Sequence, residues 1–177
     1  MILDHRSGNG GTILGPMILW SFAVPSHASD VYFDRPFGDP DIPTVAEGLA
    51  IFQKALALGL VEYAGGSSPS SMPVALLTTR DVSASDWLPY GMKGAPNVKH
   101  FAPYETNGGF STRYAFGYWL GISYVMAVGD TFGPEGHTLN GTGVSPDVVV
   151  LPKQSDLLVG KDSVYEAALA WVRQELP

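Results

Sequence analysis

The sequence predicts an α/β fold of short, mainly parallel strands with helices packed around them, plus one β-hairpin. Apolar, strand-like segments alternate with segments of helical spacing, in the order strand, helix, strand, helix, strand, hairpin, strand, helix. The run "VALLTT" is short and continuously apolar, which is typical of a strand buried on both faces of a parallel sheet. The 21 glycines and 14 prolines among 177 residues indicate many tight turns.

The first half of the chain contains two predicted strands and two predicted helices. "MILD" is a strand that leads into the loop "HRSGNGGT", and a helix is expected after Pro16. Residues 25–44 are rich in Pro, Asp and Gly and are expected to form one long loop. "TVAEGLAIFQKALALGLVEY" is a helix, because Thr44 and Glu47 have the spacing of a capping box. Its apolar residues at helical spacing are Val45, Leu49, Phe52, Leu56 and Tyr63. "VALLTT" is the second strand.

The second half continues the alternation. "SASDWLPYGMKG" is a short helix that tolerates Pro89 near its start, and "NVKHFA" is a strand. "TRYAFGYWLGISYVMAVGD" is a hairpin that turns near Gly121, and "PDVVVL" is the last strand. "SVYEAALAWVRQEL" is a closing helix; the residues expected to face inward are Val164, Ala168, Trp171 and Val172. We therefore expect residues 1–177 to form a single domain, and the abrupt apolar start indicates truncation at the N-terminus.

Charge and composition exclude several classes of function. The net charge of −7 argues against binding to nucleic acid or to anionic membrane surfaces. The chain has no cysteine, which excludes disulfides, thiolate zinc sites and a cysteine nucleophile. The apolar runs are shorter than the roughly 18 residues of a membrane span. The four histidines lack metal-ligand spacing, so we predict neither a metal nor a cofactor.

Ligand sites in parallel sheets lie at the carboxyl ends of the strands, here the loops "HRSGNGGT", "TTRDVSAS" and "PYETNGG". Ser83 follows the strand "VALLTT" at the start of a helix, where the N–H of Ala84 is placed to stabilise an oxyanion. The pattern is equally typical of a helix cap, with Ser83 or Ser85 as the capping residue. In "SGNGG", Gly10 and Gly11 allow close backbone approach and are candidates for the second oxyanion donor.

The glycine loop is also compatible with a plain tight turn, and it lacks the lysine and the spacing of a phosphate-binding loop. Two histidines are candidates for a general base. His5 directly follows the first strand beside the glycine loop, and His137 lies in the turn "GPEGHTLNG". His100 falls inside a predicted strand and is expected to be structural.

Four segments together resemble the tail-specific, or C-terminal-processing, serine proteases and their tricorn-like and retinoid-binding relatives. "ILDHRSGNGG" is similar to that family's strand and Gly-Gly loop, and "VALLTTRDVSASD" to its nucleophile segment. "NVKHFAPYETNGG" is similar to the next strand and turn, and "GPEGHTLNGTGVSPDVVV" to the closing motif. The resemblance covers roughly residues 1–150, and the order and spacing of the segments make it specific.

The resemblance implies a ClpP/crotonase-like fold with Ser83 as the nucleophile. It implies an oxyanion hole from the N–H groups of Ala84 and of Gly10 or Gly11, a supporting role for Ser85, and an extracytoplasmic location. The sequence departs from the family at the base. The family's lysine would fall near Gly108, and the glutamate of the tricorn-like branch would fall at Asn140. No segment resembles the family's peptide-binding PDZ module.

Three hypotheses follow from the sequence. The first is a serine hydrolase that cleaves peptide or small ester substrates through an acyl-enzyme on Ser83, with His5 or His137 as the base. The alternative is a non-catalytic module that keeps the protease-like fold and binds peptides or lipids. The third is a truncated fragment that depends on a partner chain, or on assembly into a homo-oligomer, to complete its site.

Overall fold

The structure, a computed structural model, describes residues 1–12, 14–23, 33–36, 44–58, 72–110, 114–133 and 137–176. The strands are β1 Ile2–Asp4, β2 Phe33–Pro36, β3 Val74–Leu77, β4 Val98–Ala102, β5 Tyr114–Trp119, β6 Ile122–Ala127, β7 Gly129–Phe132 and β8 Val148–Val149. The helices are α1 Leu14–Ala23, α2 Val45–Ala57, α3 Trp87–Met92, α4 Gln154–Leu157 and α5 Ser163–Glu175, and a 3₁₀ turn spans Ser83–Ser85.

The central sheet has four strands in the order β1-β3-β4-β8, and all three pairings are parallel. This confirms the predicted α/β class with parallel strands. Asp4 pairs with Leu77, and Leu77 pairs with Phe101, so the carboxyl ends of β1, β3 and β4 lie side by side. Every residue of β3 is buried, as its uninterrupted apolar sequence predicts.

Side chains of β3 alternate between two hydrophobic clusters on opposite faces of the sheet. Val74 and Leu76 pack in the cluster that contains α3 residues, and the Trp87 ring there meets the Phe110 ring edge-on at 5.2 Å. Ala75 and Leu77 pack on the other face against α5. The α5 residues buried in this second cluster are Val164, Ala168 and Val172. The sheet is therefore the middle layer of a three-layer arrangement, which holds its loop ends rigidly.

Strands β5 and β6 form the predicted antiparallel hairpin, which turns at Leu120–Gly121. From Tyr118 to Met126 its large apolar residues are exposed. The Tyr118 side chain is 77 % accessible, and Trp119, Ile122 and Val125 are also open to solvent. In the described residues the hairpin strands hydrogen-bond to each other and to no further strand.

The structure differs from the sequence-based expectation in several places. Residues 25–44 are not one loop, because Phe33–Pro36 is strand β2, which pairs antiparallel with β7. Residues 24–32 and 37–43 lie outside the described residues. α1 begins at Leu14, ahead of Pro16, whose missing N–H costs nothing in the first helical turn. α2 ends at Ala57, and Tyr63 lies outside the described residues.

The capping box at the start of α2 is confirmed. The Thr44 N–H donates to Glu47 Oε2 at 3.1 Å, and the Glu47 N–H donates to Thr44 Oγ1 at 3.2 Å.

The short helix α4 was not predicted. None of the helices in the described ranges is long and apolar enough to cross a membrane.

Candidate active site

The three loops predicted to carry a site meet at one edge of the sheet. The His5 N–H donates to the Leu77 carbonyl at 2.9 Å, which joins the end of β1 to the end of β3. The Gly10 N–H donates to Ser85 Oγ at 2.9 Å, and the Asn107 N–H donates to the Asp81 carbonyl at 2.8 Å. The loop after β3, which contains Ser83, is therefore held between the loops after β1 and β4.

Ser83 has a left-handed backbone, with φ of 62°. Leu120, in the hairpin turn, is the only other non-glycine residue of the described chain with positive φ. Such a conformation costs on the order of 1–3 kcal/mol and persists only where the surroundings impose it, most often at functional sites. The capping residues are Val82 for the 3₁₀ turn and Asp86 for α3, so neither serine takes the cap position considered above.

Two glycines of the loop after β1 let the backbone lie directly against this turn. A Cβ on Gly10 would stand 2.7 Å from Ser83 Cβ and 3.1 Å from Ser83 Oγ. A Cβ on Gly8 would stand 2.6 Å from His5 Cε1 and 2.8 Å from Ser85 Oγ. Any side chain at either position would displace a serine or the imidazole, so the glycines are needed for this packing. His5, Ser85 and Ser83 therefore line the same loop.

The predicted oxyanion donors differ in their hydrogen bonding. The Gly10 N–H is engaged by Ser85 Oγ. Within the described ranges, the N–H groups of Gly11 and Ala84 donate to no acceptor. A backbone N–H beside a serine hydroxyl is the usual donor to a developing oxyanion. Of the predicted donors, Gly10 is therefore engaged, and Gly11 and Ala84 are not engaged by any described residue.

His5 pairs with a carboxylate that we did not predict. His5 Nδ1 lies 2.8 Å from Asp81 Oδ2. The Asp81 side chain is fully buried, whereas the His5 side chain is 26 % exposed. The two residues are 76 positions apart, so no local pattern joins them. The only signal in the sequence is an acidic residue two positions before Ser83, at the end of a buried strand.

A second buried carboxylate, Asp86, fastens the loop after β4. The Gly108 N–H donates to Asp86 Oδ1 at 3.0 Å and the Gly109 N–H to Oδ2 at 2.8 Å. Burial raises the pKa of Asp86 even though these bonds, with one from Thr106, favour the charged form. A Cβ on Gly109 would lie 2.9 Å from Ser83 N. The position near Gly108, where the resembling family has its lysine, therefore contributes backbone here.

The other histidines that the structure describes are His137 and His100. His137 is exposed and precedes an isolated bridge, where its carbonyl accepts the Gly133 N–H at 3.0 Å. His100 is buried in β4, with Nε2 2.7 Å from Thr78 Oγ1. Burial lowers the pKa of His100 to about 4, which makes it a neutral residue. Asn140, at the position of the tricorn-like glutamate, donates to Asp130 Oδ1.

Comparison with known proteins shows similarity in structure only. No family model matches the chain, and no curated protein is detectably similar in sequence. Among solved structures, a protein provisionally classed as a peptidase from Parabacteroides merdae superimposes with a TM-score of 0.71 at 20% identity, over 97% of this chain and 51% of its own. A provisionally assigned S41 protease from Bacteroides fragilis matches with a TM-score of 0.58 at 17% identity, over 99% and 45%.

The photosystem II D1 C-terminal processing protease matches with a TM-score of 0.52 at 19% identity, over 92% of this chain and 39% of its own. This chain thus has the fold of S41-type and C-terminal-processing proteases, the group its sequence resembles. It spans about half the length of these solved structures.

Proposed function

We propose that this chain is the catalytic core of a serine hydrolase that cleaves peptide or ester bonds through an acyl-enzyme on Ser83. The observation that carries the proposal is the left-handed Ser83, held between Gly10 and Gly109 at the meeting point of three loops. The N–H groups of Ala84 and Gly11 are the proposed oxyanion donors. The protease-like fold supports peptide bonds as the substrate class.

The proposed reaction is an ordinary acyl transfer. Ser83 Oγ attacks the substrate carbonyl carbon while its proton moves to a base, and the carbonyl electron pair becomes the oxyanion. Collapse of this intermediate expels the amine or alcohol, which takes the proton back from the base. Water then attacks the acyl-enzyme in the same way and releases the acid.

We propose His5, rather than His137, as the base. The His5 ring lines the glycine loop that touches both serines, and its Nδ1 is held by Asp81. Among the described residues Nε2 of His5 has no hydrogen-bond partner, so it is the nitrogen able to accept the Ser83 proton.

The test is covalent labelling with a fluorophosphonate, followed by identification of the modified peptide by mass spectrometry. We expect the label on Ser83 in the wild-type chain, none in Ser83→Ala, and continued labelling of Ser83 in Ser85→Ala. Turnover of a p-nitrophenyl ester should disappear with the label. Equal labelling or equal turnover in Ser83→Ala would overturn the proposal.

The missing family lysine and the Asn140 substitution favour a second candidate, a non-catalytic module that binds peptides in the same cleft. This candidate predicts no label on Ser83 together with saturable binding of a fluorescent peptide. The substitution Gly11→Trp places a large side chain beside the loop after β1. Loss of peptide binding in this variant would locate the peptide beside that loop.

A further inference from the structure

Resting on the proposed function, we propose that Asp81 is the positioning residue that fixes the His5 imidazole for proton transfer from Ser83. Asp81 and Ser83 lie in the loop after β3, and His5 lies in the loop after β1 that packs against it. Asp81 touches neither substrate nor the reacting atoms in this arrangement, and it acts through His5.

The hydrogen bond between the two side chains determines which ring nitrogen carries the proton. A carboxylate can only accept, so His5 Nδ1 must donate across the 2.8 Å to Asp81 Oδ2. The lone pair of the neutral ring then resides on Nε2. When Nε2 takes the Ser83 proton, the resulting imidazolium stays paired with the Asp81 carboxylate, and the proton later passes to the leaving group.

Asp81 is itself rigidly held. Its side chain is fully buried, and its carbonyl accepts the Asn107 N–H from the loop after β4 at 2.8 Å. It precedes Ser83 by two residues, so the carboxylate and the hydroxyl belong to one short segment. His5 enters from β1, with its own N–H bound to the Leu77 carbonyl at 2.9 Å. Both ends of the pair are therefore anchored to the sheet.

The charged residues on either side of His5, Asp4 and Arg6, pair with each other. The Arg6 guanidinium donates to Asp4 and also to Asp162. Its side-chain hydrogen bond is the main cause that lowers the pKa of Asp4, and the pKa of Asp162 is lowered against burial by the Tyr165 N–H together with Arg6. Within the described part of the chain, His5 is the basic side chain that Asp81 binds. A buried carboxylate that accepts a hydrogen bond from a partly exposed histidine is an arrangement suited to orienting a base.

The test compares Asp81→Asn with Asp147→Asn in the 177-residue chain. Asp147 is a matched control, because it also pairs with a cation, Lys93, but lies outside the three loops. An Asn amide donates to Nδ1 and so favours the tautomer that carries hydrogen on Nε2. We expect the rate of Ser83 labelling to fall by about a thousandfold in Asp81→Asn and to change less than about twofold in Asp147→Asn.

A second readout is independent of activity. Nitrogen-15 NMR of the His5 ring should show hydrogen on Nδ1 in the wild-type chain and on Nε2 in Asp81→Asn. A purely structural Asp81 would lower stability without moving this tautomer, and the labelling rate per folded molecule, with folding followed by circular dichroism, would be unchanged. That result would overturn the role of Asp81 while Ser83 labelling in the wild type still supported the hydrolase. Absence of wild-type labelling would instead overturn the hydrolase, and with it the Asp81 role.

Discussion

His5 and His100 flank the same buried strand, β3, yet their surroundings are opposite. His5 follows β1, is partly exposed and bonds to the Asp81 carboxylate. His100 lies within β4, is 2 % exposed and bonds to the Thr78 hydroxyl. Both partners come from the segment that follows β3. The hydrogen-bond partner and the burial, rather than the residue type, distinguish a partly exposed imidazole at the edge of the sheet from one that is part of the core.

This difference explains why histidines are poor signals when they are considered alone. His5 follows a short apolar run in the sequence and His100 interrupts one, so the local sequence does not separate their roles. Only the three-dimensional arrangement leaves His5 partly exposed beside the loop that contains the serines and buries His100 in the core. Four experiments test the contrast, from the largest expected effect to the smallest.

Replacing each histidine by glutamine should separate catalysis from stability. His5→Gln should reduce ester turnover and Ser83 labelling by about a thousandfold, because general-base assistance contributes roughly 10²–10⁴. His100→Gln and His137→Gln should keep turnover per folded molecule within about twofold. Steady-state kinetics on folded, purified protein measures this. A thousandfold loss in His137→Gln with an active His5→Gln would move the base to His137.

Acid should destabilise the chain through His100. The pKa of His100 is about 4 in the folded state and about 6.5 in the unfolded state. Below pH 6.5 the unfolded chain therefore binds a proton at this residue that the folded chain does not bind. The free energy of unfolding should therefore fall by about 3 kcal/mol between pH 6.5 and pH 4 from this residue. Urea titrations of wild type and His100→Gln measure the difference. An imidazole of His100 that titrates near pH 6.5 by NMR would contradict this expectation.

Gly10→Ala should damage the site more than a matched glycine elsewhere. Gly10 has φ of 89° and a Cβ there would stand 2.7 Å from Ser83 Cβ, whereas Gly121 has φ of 83° and nothing within 4 Å. Both variants incur the cost of a left-handed alanine, about 1 kcal/mol, and Gly10→Ala adds the clash for a total of about 2 kcal/mol. Chemical denaturation compares them. Equal losses in stability and unchanged labelling in Gly10→Ala would show that the loop has room to shift.

Thr78→Val should have the smallest effect and should be confined to the core. It removes the hydroxyl 2.7 Å from His100 Nε2 and leaves a buried ring nitrogen without that partner, which costs about 1–2 kcal/mol. Labelling of Ser83 should be unchanged in the folded fraction. A large loss of labelling would mean that the two histidine sites are coupled through β3.

The sequence predicts well what depends on local pattern. The continuous run Val74–Leu77 specifies a strand buried on both faces, the Thr44–Glu47 spacing specifies a helix start, and Gly121 marks the hairpin turn. Parallel topology then places three loops at one edge of the sheet, so Ser83 and the glycine loop could be assigned to one site from sequence and family resemblance.

Long-range pairing is where sequence reasoning failed. Strand β2 is only four residues long, lies in a segment rich in proline and aspartate, and finds its partner β7 far along the chain. Asp81 was missed for the same reason, because its side chain is bonded to His5, which lies 76 residues away in the sequence. Neither contact produces a periodic pattern of apolar residues in the sequence.

The left-handed backbone of Ser83 has a consequence for the life of the chain before it is folded. In a disordered polypeptide this serine relaxes to the common right-handed or extended conformations and is an ordinary hydroxyl. Its reactivity would thus be acquired only once the sheet has assembled and Gly10 and Gly109 close around it. Under the proposed function, a newly synthesised chain would be unreactive toward its neighbours, and the rate of fluorophosphonate labelling would report the completion of folding.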